Sequence, residues 1–421
     1  MVIKGDIIFT KNKDEFEIYE NGFLIIENGK VNGVQKEYFG SEKVLDKKGM
    51  LIIPSFVDLH LHANQYANCG LGYDEELLSW LEKYTYPAEV KFKDLAYAED
   101  IYKEVLTKLW EAGSLRSVIY ASLYKEASEL MFKLVAKAGL SAYVGKVNMD
   151  RNVPDFNIET TEESINFSED LIKEFNNNDL VKPIITPRFV PHCTIESMKG
   201  QGELAKKYDV PVQSHMNESL AENVWVTELH PDYKTSTDVF EEYGLFGSNS
   251  KTIMAHCIHN TKHELELMKK RNLYPVHCPE SNANLTSGIM DVKRMLEAGL
   301  PVCLGSDISG GHSLFMPRQI ILAIQLSKMK ARMENDLTKV LNLSEAFYMA
   351  TKSGGSFFGD VGSFEEGYSG DFLVIDTKNI MAPHEVRSPV ERLEKFLYIG
   401  SQGDIAERYL QGEIVEKPFK E

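Results

Sequence analysis

Residues 55–62 read SFVDLHLH, a short run that alternates apolar and polar side chains from Val57 onward and closes on two histidines. Strict alternation over such a length is the pattern of a β-strand. Working outward, the chain offers seven more runs of this kind: LRSVIYA (115–121), SAYVGKVNM (141–149), KPIITPRFV (182–190), PVQSHMN (211–217), KTIMAHC (251–257), YPVHCPE (274–280) and PVCLGSDI (301–308). Amphipathic helical patterns separate them, such as LAYAEDIYKEVLTKLWEAG (95–113) and DVKRMLEAG (291–299), each ending in the glycine that a left-handed helix C-cap favours. Eight strand–helix alternations predict an α/β protein built on a parallel (β/α)8 TIM barrel. No GxGxxG follows the first run, which argues against a doubly wound dinucleotide-binding sheet.

The two chain ends read differently. Residues 1–54 hold short β segments, IIFT and GFLIIENGKVNGV among them, broken by glycine and asparagine turns. After GSFEEGYSG, the stretches DFLVID and RYLQGEIVEK are strand-like again. Residues 1–54 with 366–421 are therefore expected to form one composite β domain, a small β-sandwich, beside a catalytic barrel of residues 55–365.

Forty-six basic against sixty-three acidic residues leave a formal charge of −17, with no Lys/Arg-rich run, so a nucleic-acid partner is not expected. The five cysteines, Cys69, Cys193, Cys257, Cys278 and Cys303, are odd in number and contain no CxxC pair. That spacing argues against a disulfide framework and against a thiolate zinc site, and it predicts a reducing cytoplasm. The charged stretch KNKDEFEIYENG stands where a signal peptide would need an apolar core, and no run of 18 apolar residues could cross a bilayer. A soluble protein without membrane association is expected.

In a parallel barrel the reacting groups come from the carboxyl ends of the strands. His60 and His62 are two apart and so project to one face of the first strand. His215, His256 and Asp307 end the fifth, sixth and eighth runs, so all five groups would converge on one rim. Imidazole and carboxylate donors suit Zn2+ or Fe2+ better than Ca2+ or Mg2+, which want oxygen throughout. Glu218, three residues past His215, is a proton-shuttle candidate, with a helix N-terminal glutamate as its plainer role. Arg188 and Phe189 end the fourth run and offer a planar guanidinium fork and an aromatic face for a heterocycle. Gln65 offers an amide donor and acceptor in one plane, suited to a lactam edge. His192 and His277 lie near strand ends as supporting groups, while His230, His259, His263, His312 and His384 sit in polar stretches and are expected in solvent.

At these residues the sequence resembles the amidohydrolase superfamily, and within it the guanine-deaminating branch. PSFVDLHLHANQY (54–66) is similar to that branch's PGFVDTHIHxxQY, and LLSWLEKYTYPAE (77–89) to its LLEWLxKYTFPAE. The similarity continues through VGKVNMD, TTEESI, VKPIITPRF, QSHMNE, HCPESN and GSDISGG, from about residue 50 to residue 312. Ser55, Leu59 and Cys257 depart from the usual glycine, threonine and glycine.

The resemblance implies one metal ion, zinc or else ferrous iron, held by His60, His62, His215 and Asp307. It implies guanine contacted by Gln65, Arg188 and Phe189, with Glu218 as proton shuttle and Asp307 as the base that takes the proton of the attacking water. His256 would orient that water or the tetrahedral intermediate. Xanthine and ammonia would be the products, and the working unit a homodimer. Two-metal relatives use a carboxylated lysine at the end of the fourth strand, where this chain has Arg188; Lys182 lies at that strand's start and Lys146 on the third strand. The HxE with PCxxC pattern of the cytidine-deaminase fold is absent. The rival readings are a related deaminase acting on an oxidised purine, pterin or triazine-type ring, and a non-catalytic scaffold.

Overall fold

The computed structural model describes residues 1–247 and 250–420. It divides into two compact units, one made of Met1–Asp58, Thr107–Arg116 and Leu314–Glu421, the other of Leu59–Leu106 and Ser117–Ser313. The chain opens with four strands, β1 (Val2–Phe9), β2 (Glu17–Glu27), β3 (Lys30–Gln35) and β4 (Val44–Pro54). The eight runs of the sequence then follow in order. They are β5 (Phe56–His62), β6 (Ser114–Tyr120), β7 (Ser141–Gly145) with its continuation β8 (Val147–Asn148), β9 (Val181–Pro183) with its continuation β10 (Thr186–Pro187), β11 (Val212–Met216), β12 (Thr252–His256), β13 (Tyr274–His277) and β14 (Cys303–Leu304). The C-terminal segment adds β15 (Phe372–Ile375), β16 (Ile405–Leu410) and β17 (Glu413–Ile414).

Strands β5, β6, β7 and β9 hydrogen-bond in that order, as do β11, β12, β13 and β14. Parallel pairing is recorded for β7 with β9, β8 with β10, and each neighbouring pair from β11 to β14. A parallel bridge between Ile185 and Val212 joins the two halves. The ring closes where the Asp307 amide donates to the His60 carbonyl at 2.8 Å and the His62 amide donates to the Ile308 carbonyl at 2.7 Å. Gly305 permits that approach, because a Cβ there would lie 2.8 Å from the His60 Cβ. The barrel expected from the eight runs is thus present.

Several runs are shorter as strands than the sequence suggested, the fourth breaking into β9 and β10 and the last two shortening as well. Pro279 opens the helix Pro279–Asn284, which suits its missing N–H and ends the seventh strand at His277. In the eighth run only Cys303–Leu304 is regular strand, and the irregular backbone beyond it carries Asp307. Helix Leu95–Ala112 stops at Gly113, whose φ of +75° is left-handed, as its sequence predicts. Among the described residues no helix is long and apolar enough to cross a membrane.

The strands of both chain ends form one continuous seven-stranded sheet in the order β17-β16-β15-β4-β1-β2-β3. Its core is a cluster that includes Ile3, Ile7, Phe9, Leu24, Ile52, Phe372 and Val374, all buried, with Phe372 stacked on Tyr409 at 4.3 Å. Burying each large apolar side chain of this kind contributes about 1.5–3 kcal/mol. A helix, Pro389–Ile399, lies in the C-terminal segment between strands; Ser388 and Glu391 cap it reciprocally, and Pro389 sits in its first turn.

Candidate active site

Four donor-bearing side chains from three strand ends meet in the second unit. Donor atoms of His60, His62, His215 and Asp307 all lie within 4.8 Å of one another, and all four residues are buried. His62 Nε2 is 3.0 Å from His215 Nε2, and Asp307 Oδ1 is 3.2 Å from His60 Nε2 and 3.5 Å from His62 Nε2. The strand ends turn sharply here: His256 and Asp307 adopt φ of +71° and +46°, left-handed values that L residues other than asparagine and aspartate seldom take. Cys257 is left-handed too at φ +47°, and it is fully buried.

Burial lowers the pKa of all three histidines, so the rings are neutral and offer lone pairs. Burial pushes Asp307 up, but His60, His256 and His62 together hold it well below the usual carboxylate range. His215 Nδ1 lies 2.6 Å from the Arg188 carbonyl, which can only accept, so Nδ1 carries the proton and Nε2 turns a lone pair toward His62. With His60 and His62 in the tautomer that turns Nε2 lone pairs inward as His215 does, these lone pairs and the carboxylate repel unless a cation lies among them. Tetrahedral ligands at about 2.0–2.1 Å from one ion are separated by about 3.4 Å, close to the 3.0, 3.2 and 3.5 Å between His62 and His215, His60 and Asp307, and His62 and Asp307. The donor set fits one transition-metal ion. Lys146 is taken up in a buried ion pair with Glu159 at 2.5 Å and does not join it.

Beside these donors lies a cavity lined by every sequence-predicted substrate group, Gln65, Arg188, Phe189 and His256, together with Glu218. Phe189 is braced by His192 at 4.2 Å, edge to face, and His192 Nε2 contacts the Tyr86 hydroxyl at 3.0 Å. Sequence reasoning missed the apolar cover, Leu77, Trp80, Leu81 and Leu285. It also missed Glu89, which joins Arg188 and Gln65 from behind at 2.8–2.9 Å. For Leu77, Trp80, Leu81 and Glu89 the only signal was the stretch LLSWLEKYTYPAE (77–89), and Leu285 lies outside it.

Glu218 sits just ahead of helix Leu220–Leu229, whose N-cap is Ser219. Glu222 accepts the backbone amides of Asn217 and Glu218 at 3.1 and 2.8 Å and so pins the turn. The Glu218 side chain is buried, takes a hydrogen bond from Ser287 at 3.3 Å and lies 3.4 Å from His256 Nε2. Burial raises its pKa to about 7, against the lowering effect of His256. His256 Nδ1 is 2.8 Å from the Asn282 side-chain oxygen, which aims Nε2 at Glu218 and at Asp307 Oδ2, 3.7 Å away. Burial disfavours its charge, yet Glu218 and Asp307 hold its pKa above the ordinary value. Among the other histidines, His230 corrects the expectation of solvent: it is buried, with Nε2 3.2 Å from Arg151.

A closed barrel with imidazole and carboxylate donors at its strand ends defines a metal-dependent hydrolase, and the chain belongs to the amidohydrolase family, whose model matches residues 51–415. It is 37% identical to the guanine deaminase of Dictyostelium discoideum, over 91% of this chain and 86% of that one. It is 30% identical to the guanine deaminase of Escherichia coli, over 94% and 91%. Among solved structures, the guanine deaminase from C. acetobutylicum with guanine bound in its active site matches with a TM-score of 0.96 at 44% identity, covering 99% of both chains.

Proposed function

We propose that this chain hydrolyses guanine to xanthine and ammonia in purine catabolism or salvage. The observation that carries this reading is that Glu218, His256, Gln65 and Arg188 line one cavity together with His62, His215 and Asp307 of the four-donor cluster. The guanine deaminases to which the chain is similar support it.

His60, His62, His215 and Asp307 would hold the ion, zinc in our reading, with ferrous iron served by the same donors. Such an ion acidifies water from a pKa of about 15.7 to about 7, supplying hydroxide near neutral pH. Arg188 and Gln65 orient the purine through its lactam edge, and Phe189 packs against the ring. Asp307 accepts the proton of the attacking water as its oxygen bonds to C2. Glu218, half-protonated near neutrality, gives its proton to N3, so C2 becomes tetrahedral without building charge on the ring. His256 holds the new hydroxyl, and Glu218 relays the proton taken by Asp307 to the amine. The C2–N bond then breaks, ammonia leaves, and the C2 carbonyl forms as its hydroxyl proton returns to Glu218.

Residues 55–365 act as the catalytic domain, with 1–54 and 366–421 as a composite β domain. The resemblance in sequence also supports a cytoplasmic homodimer, which light scattering of the purified protein reads directly. The test of function is metal analysis paired with the absorbance change from guanine to xanthine. Turnover of guanine well above adenine is expected, and faster turnover of adenine overturns the assignment.

A further inference from the structure

We infer that Glu89 is a positioning residue that fixes which ring edge the cavity accepts; this rests on the reading of Gln65 and Arg188 as substrate contacts. Glu89 is 2% exposed and ends the short helix Tyr86–Glu89. Its Oε1 accepts from Gln65 Nε2 at 2.9 Å and from Arg188 Nη1 at 2.9 Å. Its Oε2 accepts from Arg188 Nη1 at 2.8 Å and from Asn157 Nδ2 at 3.0 Å.

A carboxylate only accepts, so it removes the ambiguity of an amide. The Gln65 atom facing Glu89 must be the nitrogen, and the carbonyl oxygen is left for the cavity. Arg188 likewise spends Nη1 on Glu89, which leaves Nη2 and Nε. Among the described residues neither these two nitrogens nor Gln65 Oε1 makes a hydrogen bond, and both side chains line the cavity. The cavity therefore meets its ligand with an acceptor at Gln65 and donors at Arg188. That pair is complementary to a lactam edge, an N–H beside a C=O. It mismatches an amidine edge, a bare ring nitrogen beside an amino group, at both positions. Selection against the amidine edge follows from one buried carboxylate that need not touch the substrate.

Glu89→Gln keeps the size but lets residue 89 donate as well as accept, so Gln65 is free to flip. The probes are guanine and 2,6-diaminopurine, which share the 2-amino group and differ in that edge. Expected for the variant is normal metal content, a guanine KM raised about tenfold or more with kcat within about threefold, and a guanine-over-diaminopurine preference in kcat/KM reduced about tenfold. Glu89→Asp retracts the carboxylate by one methylene and should shift KM and preference the same way by less. Either variant, folded and metal-loaded, showing the wild-type KM and preference overturns the inference. Wild-type protein that fails to deaminate guanine would instead remove the functional reading beneath it.

Discussion

Glu218 is the residue whose replacement separates chemistry from scaffold. Glu218→Gln leaves the four donors untouched, so metal content should be unchanged while kcat falls by about 10²–10⁴, the usual contribution of a positioned acid–base group. Full activity in that variant would show that Glu218 does not carry the proton. At this scale the sequence was most legible where chemistry demanded rare side chains in fixed places. His60 and His62 declare themselves by a spacing of two, and His215, His256 and Asp307 by standing at strand ends. Glu89 could not declare itself, because a buried glutamate is recognisable only through its partners. Those are Gln65, 24 residues before it, and Arg188, 99 residues after it. His230 misled for the same reason: the Arg151 that keeps it company lies 79 residues away.

Among the elements, the eight strand runs were legible because β-rich apolar runs recur between helical patterns. Their ends were less so, since Pro279 and the irregular backbone after Leu304 respond to local geometry rather than to periodicity. Helix Pro389–Ile399 went unread, although Ser388 with Glu391 is a capping box in plain sequence. TTEESI, one of the stretches shared with the family, proves to be an element boundary. Thr160 caps helix Thr161–Phe175 by accepting from the Glu163 amide at 3.2 Å, and the Glu163 carboxylate accepts the Thr160 amide at 2.9 Å. Thr160→Ala should cost about 1 kcal/mol in a urea titration and leave kcat unchanged. A change in kcat with no change in stability would place that segment in the site after all.

For the molecule as a whole, buried neutral histidines set its tolerance of acid. Burial, with the nearby His256, lowers His277 to about 3, and burial lowers His192 well below its ordinary value. The unfolded chain, with histidines near 6.5, binds more protons than the folded one between about pH 3 and 6.5. The contribution of these residues is therefore complete above pH 6.5 and is lost as pH falls toward 3. Thermal unfolding from pH 8 down to pH 4 should show Tm falling below about pH 6.5, and His277→Gln should flatten that slope. A slope unchanged in the variant would remove His277 from the account. Ion removal acts on the same balance: chelation should abolish turnover and lower Tm, since an ion at a thousandfold its Kd stabilises by about 4 kcal/mol. An unchanged Tm after complete stripping would show that the donors hold their arrangement alone.

The hydrogen bonds that join His60 and His62 to Asp307 and Ile308 put three of the four candidate ion ligands, His60 and His62 on one lip and Asp307 on the other, at the barrel's seam. Nearly 250 residues of chain must be made and folded between one lip and the other. A nascent chain cannot own a complete cage until its eighth strand has docked on its first, so metal capture comes at the end of assembly. In refolding followed with a zinc-sensitive dye, uptake should coincide with the slowest structural phase.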